Sequence, residues 1–589
     1  MAQSTLPIFP PESEMFMKFA SRRSVVHSTK GMVACSQPLA AKCGIEILEK
    51  GGNAADAAVA VAAGLNMTEP CSTGIGGDMF CLYYDAATGK VSALNGSGRS
   101  GADCTLDKIR SSLGIPEGTT GKIPMSSVHA VTVPGAAAGW VDTIERFGSG
   151  KLTMSEILAP AIELGEKGFP WQRSEKSLRA ASPNYTEILK PDPSSPSGFR
   201  APRAGDIIKL PHLAHTFRTL AAEGKPGFYT GRIANELISV VSSLGGHLTL
   251  SDLQHHLETS SETVPPISLP FTTPSGTSLR VWEHPPNGQG IVALMALGIL
   301  RSLNLNFGPS DHNATPYLHA IIESLRLAFS DASWFITDSS FSRPDLNSSL
   351  LSPSYLSSRA ALFSPHKILP KSLEHGNPFP SPALSSSDTV YFAVGDAQGN
   401  AISFINSNYG GFGTGIIPRG CGFTLQNRGA NFSLDGRHPN RLEPRKRPYH
   451  TIIPGLVTYE GEKGGLHSVF GVMGGFMQPQ GHVQTLLGQV VGGLNPQQAL
   501  DAPRVCIGAG MPDEGGDVFD MTVYVEEGMP KEAVEGLKKL GHKVEVVSGQ
   551  GRALFGRGQI VRWTRDEVEG AGVWSAGSDM RADGGAYPL

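Results

Sequence analysis

Charged side chains are scarce in this sequence, and long apolar runs are missing. Asp, Glu, Lys and Arg make up 17% of the 589 residues, and the formal net charge is −4 with no basic stripe along the chain. A nucleic-acid partner and electrostatic docking to a membrane are therefore not expected, because both need clustered positive charge. No apolar run reaches the length of about 18 residues that a transmembrane helix needs, so no such helix is predicted.

Cysteine is also infrequent, and the seven cysteines are scattered without any CxxC pair. Zinc sites and disulfide frameworks use paired, closely spaced cysteines, so neither is predicted, and we expect small buried thiols. We expect no metal and no cofactor. Residues 1–14 have no basic start followed by an apolar core, so no signal peptide is predicted and a cytoplasmic location is expected.

What the sequence does contain is enough apolar residues, 40%, for a large core. The 71 glycines and 43 prolines indicate many tight turns. Helix and strand periods alternate, which on periodicity alone indicates a mixed α and β protein. Helices are predicted over 38–50, 54–65 (with Asn53 as N-cap), 134–147, 155–168, 315–330 (amphipathic), 480–490 and 530–540. Strands are predicted over 79–85, 91–95, 543–548 and near 558–574, and strands should dominate from 389 to about 475.

Two segments are rich in loop-forming residues. The stretch 183–211 is rich in Pro, Ser and Asp and is predicted to be a surface excursion. The stretch 339–387 is dense in Ser, Pro and Leu and is the candidate for a mobile linker.

Thr389 is the first residue of a predicted strand, directly after a polar loop that ends at Asp388. If the bond between them breaks, Thr389 gains an α-amine beside its own hydroxyl. That amine has an ordinary pKa near 8, so it can take the hydroxyl proton at neutral pH and create a nucleophile. The same pattern also occurs at ordinary turn exits, so it does not decide the matter alone.

Other segments occur with Thr389 in a fixed order. They are GMVA at 31–34, the glycine- and alanine-rich stretch 44–60, TEP at 68–70, GIGGDMF at 74–80, FGTG at 412–415, KRP at 446–448 and MGG at 473–475. In order and spacing they resemble the γ-glutamyltranspeptidase (glutathione hydrolase) family from about residue 28 to the C-terminus. The pattern is most similar to the intracellular glutathione-hydrolase-like and cephalosporin-acylase-like branch.

The resemblance implies an α+β fold, the four-layer αββα sandwich of N-terminal nucleophile hydrolases. It also implies self-cleavage at Asp388–Thr389 and a heterodimer of the two resulting fragments. The expected pieces are an N-terminal extension 1–27, a large subunit 28–388 with the linker 339–388, and a small catalytic subunit 389–589.

The resemblance also assigns catalytic roles. Thr389 matches the nucleophile, and Gly474 and Gly475 match the pair whose N–H groups hold the oxyanion. Ser407 stands where the family has a threonine that hydrogen-bonds the amine of the nucleophile, and a serine hydroxyl can do the same. Outside this frame, the two glycines would be interpreted as a plain turn.

Substrate recognition departs from the family pattern. Asn431 replaces an aspartate that binds the α-amine, which leaves only a hydrogen bond. Ser97 replaces an arginine that binds the α-carboxylate. Arg99, two residues on, either reaches that carboxylate or is a solvated surface arginine. Tyr409 stands where the family often has an asparagine, and a tyrosine at this site is similar to the acylase-like relatives.

The segment after KRP departs in the same way. His450 and Thr451 replace a serine pair, and His450 either contacts substrate or satisfies a buried backbone group. Arg428 and Arg437 are cations nearby in the sequence, and either could replace the missing family contacts to the substrate.

Three hypotheses follow. The first is a self-processing amidohydrolase that cleaves γ-glutamyl compounds such as glutathione, with water or an amino acid as acceptor. The second is an acylase that removes a glutaryl-like group from a small metabolite. The third is a catalytically silent relative that binds a ligand, against which Thr389, Gly474 and Gly475 argue. A nucleotide site at 74–77 is excluded because no Gly-Lys-Ser/Thr follows.

Overall fold

The structure, a computed structural model, describes residue 21 and residues 23–119, 121–171, 184–370, 388–461, 464–508 and 521–589. The helices are α1 (Pro38–Glu49), α2 (Ala54–Thr68), α3 (Leu106–Ser112), α4 (Ala136–Phe147), α5 (Met154–Lys167), α6 (Pro211–Tyr229), α7 (Gly231–Ser243), α8 (Leu250–Thr259), α9 (Gly290–Ser302), α10 (Thr315–Phe335), α11 (Leu346–Leu350), α12 (Pro353–Ala360), α13 (Met477–Val490), α14 (Pro496–Asp501) and α15 (Lys531–Lys539).

The strands are β1 (Val26–Ser28), β2 (Met32–Cys35), β3 (Asp78–Asp85), β4 (Lys90–Gly96), β5 (Phe169–Pro170), β6 (Lys190–Pro191), β7 (Phe199–Arg200), β8 (Ile207–Ile208), β9 (Glu262–Val264), β10 (Ile267–Thr272), β11 (Ser278–Glu283), β12 (Asp388–Gly395), β13 (Ala401–Tyr409), β14 (Gly455–Tyr459), β15 (Leu466–Met473), β16 (Val505–Ile507), β17 (Thr522–Glu526), β18 (Lys543–Val547), β19 (Arg557–Arg565), β20 (Gly572–Ser578) and β21 (Gly585–Pro588).

Two seven-stranded antiparallel sheets form the centre of the fold. Sheet I has the order β21-β2-β12-β13-β3-β4-β9, and sheet II has the order β1-β20-β19-β15-β14-β11-β10. Successive side chains of a strand point to opposite sides. Both sets of side chains of strand β12 are buried, one on each face of sheet I. Tyr391 and Ala393 pack between the sheets with Val469 and Trp574 of sheet II.

Helices cover the outer face of each sheet. Val390, Phe392 and Val394 of β12 belong to the apolar cluster that contains α1, α2, α4, α5 and α6. The outer face of sheet II packs in the same way against α9, α10 and α13. The layers are therefore α, β, β and α, which confirms the predicted sandwich.

The start of α2 shows why the sequence folds as predicted here. Asn53 Oδ1 accepts hydrogen bonds from the N–H groups of Ala55 and Asp56, and Asp56 Oδ2 accepts one from Asn53 N–H. This reciprocal capping satisfies donors that a helix N-terminus leaves unpaired. The predicted role of Asn53 as N-cap is thus confirmed. The small residues of α2 allow close packing, and a Cβ on Gly64 would lie 2.9 Å from Ala40 Cα.

Helix α10 differs from the prediction. It occupies the predicted segment, but the residues from Tyr317 to Ala332 are buried on all sides, so the helix is not amphipathic. Helices α9 and α15 pack against it, and its apolar side chains belong to the cluster that includes sheet II. A covering layer contributed by distant segments cannot be deduced from the local pattern.

The predicted linker also differs where the structure describes it. Residues 339–370 contain α11 and α12, and Leu350, Leu356 and Leu369 are buried in the sheet II cluster. Residues 371–387 lie outside the described residues.

Strands do not dominate the whole region after Thr389, in contrast to the prediction. Between β13 and β14 the chain 410–454 forms loops, isolated bridges and one 3₁₀ turn. The predicted surface excursion, from residue 184 onward, contains the short pair β6 and β7. None of the seven cysteines, all of which lie in the described residues, forms a disulfide, and six of them are buried. Among the described helices, none is both long enough and apolar enough to cross a bilayer.

We expect the fold to be sensitive to acid. Burial lowers the pKa of five histidines to about 3, whereas an unfolded histidine titrates near 6.5. These are His256, His284, His450, His467 and His542. Between those pH values only the unfolded chain binds these protons, so stability should fall as the pH drops from about 6.5 toward 3. Each histidine contributes up to about 1.4 kcal/mol per pH unit.

Denaturant unfolding measured between pH 7 and pH 4 tests this expectation. The free energy of unfolding should fall steeply in the wild type. In a His467→Gln variant it should fall less steeply, by about the contribution of one histidine. A substitution at the exposed His366 is the matched control. Stability that does not change over this range would contradict the argument.

Candidate active site

Thr389 is buried at the start of β12, next to the strand that carries Ser407. The pairing of β12 with β13 shifts register between Asp388 and Val390, and Asp388 lies opposite Tyr409. Thr389 Oγ1 is 3.0 Å from Ser407 Oγ. The structure therefore brings together the first two residues predicted for the site.

Ser407 Oγ is surrounded by donors. It accepts hydrogen bonds from Tyr409 N–H at 2.9 Å and from Arg428 Nη2 at 3.2 Å. Either hydroxyl of the Thr389–Ser407 pair can be the donor, and the two N–H groups on Ser407 Oγ favour donation by its O–H to Thr389 Oγ1. A donor in that position stabilises negative charge on the threonine oxygen.

Arg428 lies in a 3₁₀ turn (Arg428–Asn431) and is fully buried. Its Nη1 donates to Thr451 Oγ1 at 2.7 Å, and its guanidinium carbon lies 4.3 Å from the centre of the Tyr409 ring. Burial lowers the pKa of Arg428 to about 10, although Asp78 and Tyr409 act in the opposite direction. The group therefore remains charged at neutral pH.

Tyr409 has a backbone φ of +77°, in the left-handed region that non-glycine residues rarely adopt. Burial raises the pKa of Tyr409 above its usual range, while Arg428 lowers it, so the phenol is neutral at pH 7. The unusual backbone conformation places the ring against the Arg428 guanidinium, where a cation–π contact forms.

Gly474 and Gly475 form the turn between β15 and α13, with φ values of +124° and +58°. Both angles lie in the region that favours glycine. Their carbonyls accept hydrogen bonds from Met477 N–H and Gln478 N–H. Within the described residues, neither glycine N–H donates to another group. Such N–H groups are suited to bind an oxyanion.

Gln289 connects this turn to the arginine. Its Nε2 donates to the carbonyl oxygens of Gly475 at 2.8 Å and Thr451 at 2.7 Å. Its Oε1 accepts from the Tyr449 hydroxyl at 2.9 Å. One buried amide thus fixes the glycine turn relative to the Arg428 contact.

His450 is occupied by internal hydrogen bonds. Its Nε2 donates to Asp78 Oδ2 at 3.0 Å, and its Nδ1 accepts from Ile452 N–H at 3.3 Å. Burial, and then Arg428, lower the pKa of His450 to about 3, so the ring is neutral. Burial alone would raise the pKa of Asp78, but the hydrogen bond from His450 and other contacts hold it below its usual range. Of the two interpretations of His450, the geometry favours satisfaction of buried groups.

The other predicted site residues already form hydrogen bonds or ion pairs within the protein. Asn431 Nδ2 donates to the Tyr449 carbonyl at 2.9 Å, while its buried Oδ1 has no partner among the described residues. Arg99 forms an ion pair with Glu262 and has only 12% of its side chain exposed, so it is not a solvated surface arginine. Arg437 is exposed and pairs with Asp435, which places it outside the cluster around Thr389.

The sequence profile of the family described as gamma-glutamyltranspeptidase matches residues 40–589. This chain belongs to the γ-glutamyltranspeptidase family. It is 34% identical over 573 residues to the glutathione hydrolase-like YwrD proenzyme of Bacillus subtilis, which covers 96% of this chain and 100% of that protein. It is 32% identical over 567 residues to the oxamate amidohydrolase proenzyme of Klebsiella pneumoniae, with coverages of 95% and 98%.

Solved structures agree with the assignment. Cephalosporin acylase from Bacillus halodurans is 36% identical, has a TM-score of 0.79 and covers 100% of this chain and 99% of that chain. The family, its enzymatic nature and the N-terminal nucleophile hydrolase fold are therefore confirmed.

Several residues of this γ-glutamyltranspeptidase-family site had no role assigned from the sequence. Asp78 lies in the GIGGDMF segment, and its Oδ1 accepts from Gly98 N–H, Gly135 N–H and Gln426 Nε2. Its position directly after a glycine run was the available signal. Gln289 gave no signal, because the partners of its side chain are all more than 150 positions away in the sequence.

A second buried polar cluster contains three residues whose potential ligand atoms lie within 4.8 Å of one another, namely His319, Glu323 and His542. His319 Nδ1 and His542 Nε2 are 2.8 Å apart, which is a direct hydrogen bond. Glu323 accepts from Arg326 Nη1 and from Leu369 N–H, both at 2.6 Å. These bonds join α10 to His542 and to the segment before residue 371.

Proposed function

We propose that this protein is a self-processing amidohydrolase in which Thr389 becomes the N-terminal nucleophile. The observation that carries the proposal is the 3.0 Å contact between Thr389 Oγ1 and Ser407 Oγ at the start of β12. Two relatives named as proenzymes support it. The N–H groups of Gly474 and Gly475, which donate to no other group among the described residues, would supply the second element that amide cleavage needs.

Processing begins with attack of Thr389 Oγ1 on the carbonyl carbon of Asp388. The C–N bond breaks, the nitrogen takes a proton, and an ester links the two residues. Water then hydrolyses the ester, so that Asp388 ends as a carboxylate and Thr389 gains a free amine and hydroxyl.

The proposed fragments 28–388 and 389–589 should stay together after the cut. In sheet I, β12 pairs with β2 and β13 pairs with β3, so strands from both fragments share one sheet. Backbone hydrogen bonds and the buried clusters on both faces hold them as a heterodimer.

Turnover then uses the same oxygen. The Thr389 amine takes the hydroxyl proton, Oγ1 attacks the substrate amide, and the tetrahedral oxyanion lies against Gly474 and Gly475 N–H. The amine product leaves with the proton, which leaves an acyl ester on Thr389. Water, or an amino acid in a transfer reaction, attacks this ester and restores the hydroxyl.

For the acyl donor we propose γ-glutamyl amides such as glutathione. The Bacillus subtilis relative named glutathione hydrolase-like supports this choice. Asn431 Oδ1, which has no partner among the described residues, can accept a hydrogen bond from the donor α-ammonium. As a neutral amide it replaces a charge-assisted contact with a weaker one.

The second candidate is an acylase that removes a glutaryl-like or shorter dicarboxylic acyl group. Arg99 is already paired with Glu262, and Ser97 Oγ accepts a hydrogen bond from Asn287 Nδ2 at 3.2 Å. Neither residue therefore provides the contact that the family makes to the α-carboxylate. Relatives named cephalosporin acylase and oxamate amidohydrolase support this alternative.

An Asn431→Asp variant should shift preference toward the γ-glutamyl donor. The added carboxylate can pair with an ammonium, a charge-assisted contact worth about 1.5–3 kcal/mol, or roughly 10–150-fold. We would measure kcat/KM for γ-glutamyl and glutaryl anilides, which differ only in the α-amine. The glutaryl rate is the internal control. A ratio that stays the same or falls would remove Asn431 from recognition of the amine.

A further inference from the structure

The turn formed by Gly474 and Gly475 needs restraint from outside its own residues. Both have a positive φ that glycine adopts without strain, but glycine also leaves this conformation easily, because no side chain restricts its backbone. An N–H group stabilises an oxyanion well only if it is held in place before the charge develops. Helix α13 gives part of this restraint, since Met477 N–H and Gln478 N–H donate to the two glycine carbonyls at 3.0 and 3.2 Å.

Gln289 holds the same turn with a side-chain amide. Its Nε2 donates to the Gly475 carbonyl oxygen at 2.8 Å, a shorter bond than the one from α13. The second N–H of this amide is used as well, because Nε2 also donates to the Thr451 carbonyl oxygen at 2.7 Å. Oε1 accepts from the Tyr449 hydroxyl at 2.9 Å, which fixes the direction in which the amide faces. The side chain is fully buried, so bulk water does not compete for these bonds.

The loop that carries Gln289 is anchored to the same region. His450 N–H donates to the Asn287 carbonyl at 2.9 Å, and Gln289 N–H donates to the His450 carbonyl at 3.1 Å. Asn287 Nδ2 donates to the Pro448 carbonyl at 2.8 Å. These bonds join the loop between β11 and α9 to the segment before β14. The proposed self-cleavage would put the two in different fragments, so a residue of the large fragment would restrain the glycine turn of the small one.

We infer that Gln289 is a positioning residue for the oxyanion step, acting through Gly475 and not on the substrate. The inference rests on the proposed function of Thr389 and of the glycine pair. The N–H and the carbonyl of a residue are joined through a single Cα, so a carbonyl that cannot turn leaves the N–H little freedom. Gln289 therefore keeps the Gly475 N–H directed at the place where negative charge develops. A contact of this kind lowers the barrier of the chemical step and leaves substrate affinity unchanged.

Gln289→Leu tests the inference, because leucine has a similar volume and no donor. The kcat for glutaryl and γ-glutamyl anilides should fall by about 10–100-fold, with KM within about twofold of the wild type. A displacement of about 1 Å at a reacting group can cost about 100-fold in rate.

Gln484→Leu is the matched control. Gln484 is also buried, its Nε2 donates to the carbonyls of Gln480 and Val505, and its Oε1 accepts from Val505 N–H. Each of the two leucine variants loses two bonds to carbonyls and one to the amide oxygen. Their melting temperatures should fall by similar amounts, whereas kcat should fall only in Gln289→Leu.

Gln289→Glu adds a pH readout that a purely structural role would not give. The shape is the same, but a protonated carboxyl has one donor, and an ionised carboxyl has none and faces two carbonyl oxygens. Burial and those oxygens should raise the pKa of the introduced carboxyl above its ordinary value of about 4.3. The protonated form holds the turn, so kcat relative to the wild type should fall as the pH rises from about 5 to 9. The same ratio for Gln289→Leu should not change with pH.

The outcomes separate this inference from the proposed function. A wild type that neither cleaves itself nor hydrolyses any anilide would contradict the proposed function. If the wild type is active, a Gln289→Leu enzyme with unchanged kcat, or with an effect on KM alone, would overturn the positioning role and leave the Thr389 mechanism intact. An equal loss of kcat in Gln484→Leu, or a Gln289→Glu ratio that does not change with pH, would also overturn it. A variant that fails to cleave itself is assayed as co-expressed fragments 1–388 and 389–589, to which the same criteria apply.

Discussion

A Thr389→Ala chain should remain a single polypeptide of 62.2 kDa and show no hydrolysis above background. Alanine has no hydroxyl, so neither the attack on the Asp388 carbonyl nor the acyl-enzyme can form. We expect the loss of activity to reach about 10⁴-fold or more, because the nucleophile acts as a unit with its partners. A denaturing gel and an anilide assay on the same preparation measure both effects.

Two controls make this result specific. Thr389→Ser keeps an oxygen next to Ser407 and should restore cleavage and activity in part. Co-expression of residues 1–388 with a 389–589 fragment that carries Thr389→Ala separates activity from processing, since this complex needs no cut. Cleavage at the same bond in the alanine variant would show that Thr389 does not start the reaction.

Alanine substitutions at Gly474 and Gly475 should lower kcat by about 10²–10³-fold with a small change in KM. Both residues have positive φ, and a Cβ on Gly474 would lie 3.2 Å from Gly556 Cα. Alanine must therefore displace the backbone N–H groups that we assign to the oxyanion. The rates should be measured on co-expressed fragments, because the same change can also stall self-cleavage.

Gly493→Ala is the matched control for backbone strain. Gly493 has a φ of +66° in an exposed loop after α13, and a Cβ there would contact nothing within 4 Å. Its substitution introduces a similar conformational cost far from the proposed oxyanion, so kcat should stay near the wild-type value. An unchanged kcat in the Gly474 and Gly475 variants would exclude these glycines from the mechanism.

The sequence was most informative where local pattern and tertiary structure agree. Asn53 caps α2 as predicted, because a cap is formed by residues three positions apart. Thr389 and Ser407 were both predicted from the sequence as site residues. They lie close together because they are on consecutive strands joined by a short turn. Where covering layers came from distant segments, as around α10, the pattern predicted the helix and not its burial.

The polar contacts of the site were less predictable for the same reason. Arg428 was noted as a nearby cation, but its contacts with Ser407, Thr451 and the Tyr409 ring are made only in the folded chain. Arg99 was predicted either to reach the α-carboxylate or to be a solvated surface arginine. The structure instead pairs it with Glu262, 163 residues away. Contacts of this kind have no periodicity, so only the folded chain reveals them.

Mass spectrometry of the active wild type, before and after a slow substrate, tests the central claim most directly. Cleavage before Thr389 predicts pieces of 388 and 201 residues, about 41 and 21 kDa of the total 62.2 kDa, with the smaller piece beginning Thr389-Val390-Tyr391. A slowly released acyl group should then add its mass to the small piece alone. An active enzyme that remains one full-length chain, or an acyl group found on the large piece, would contradict the account.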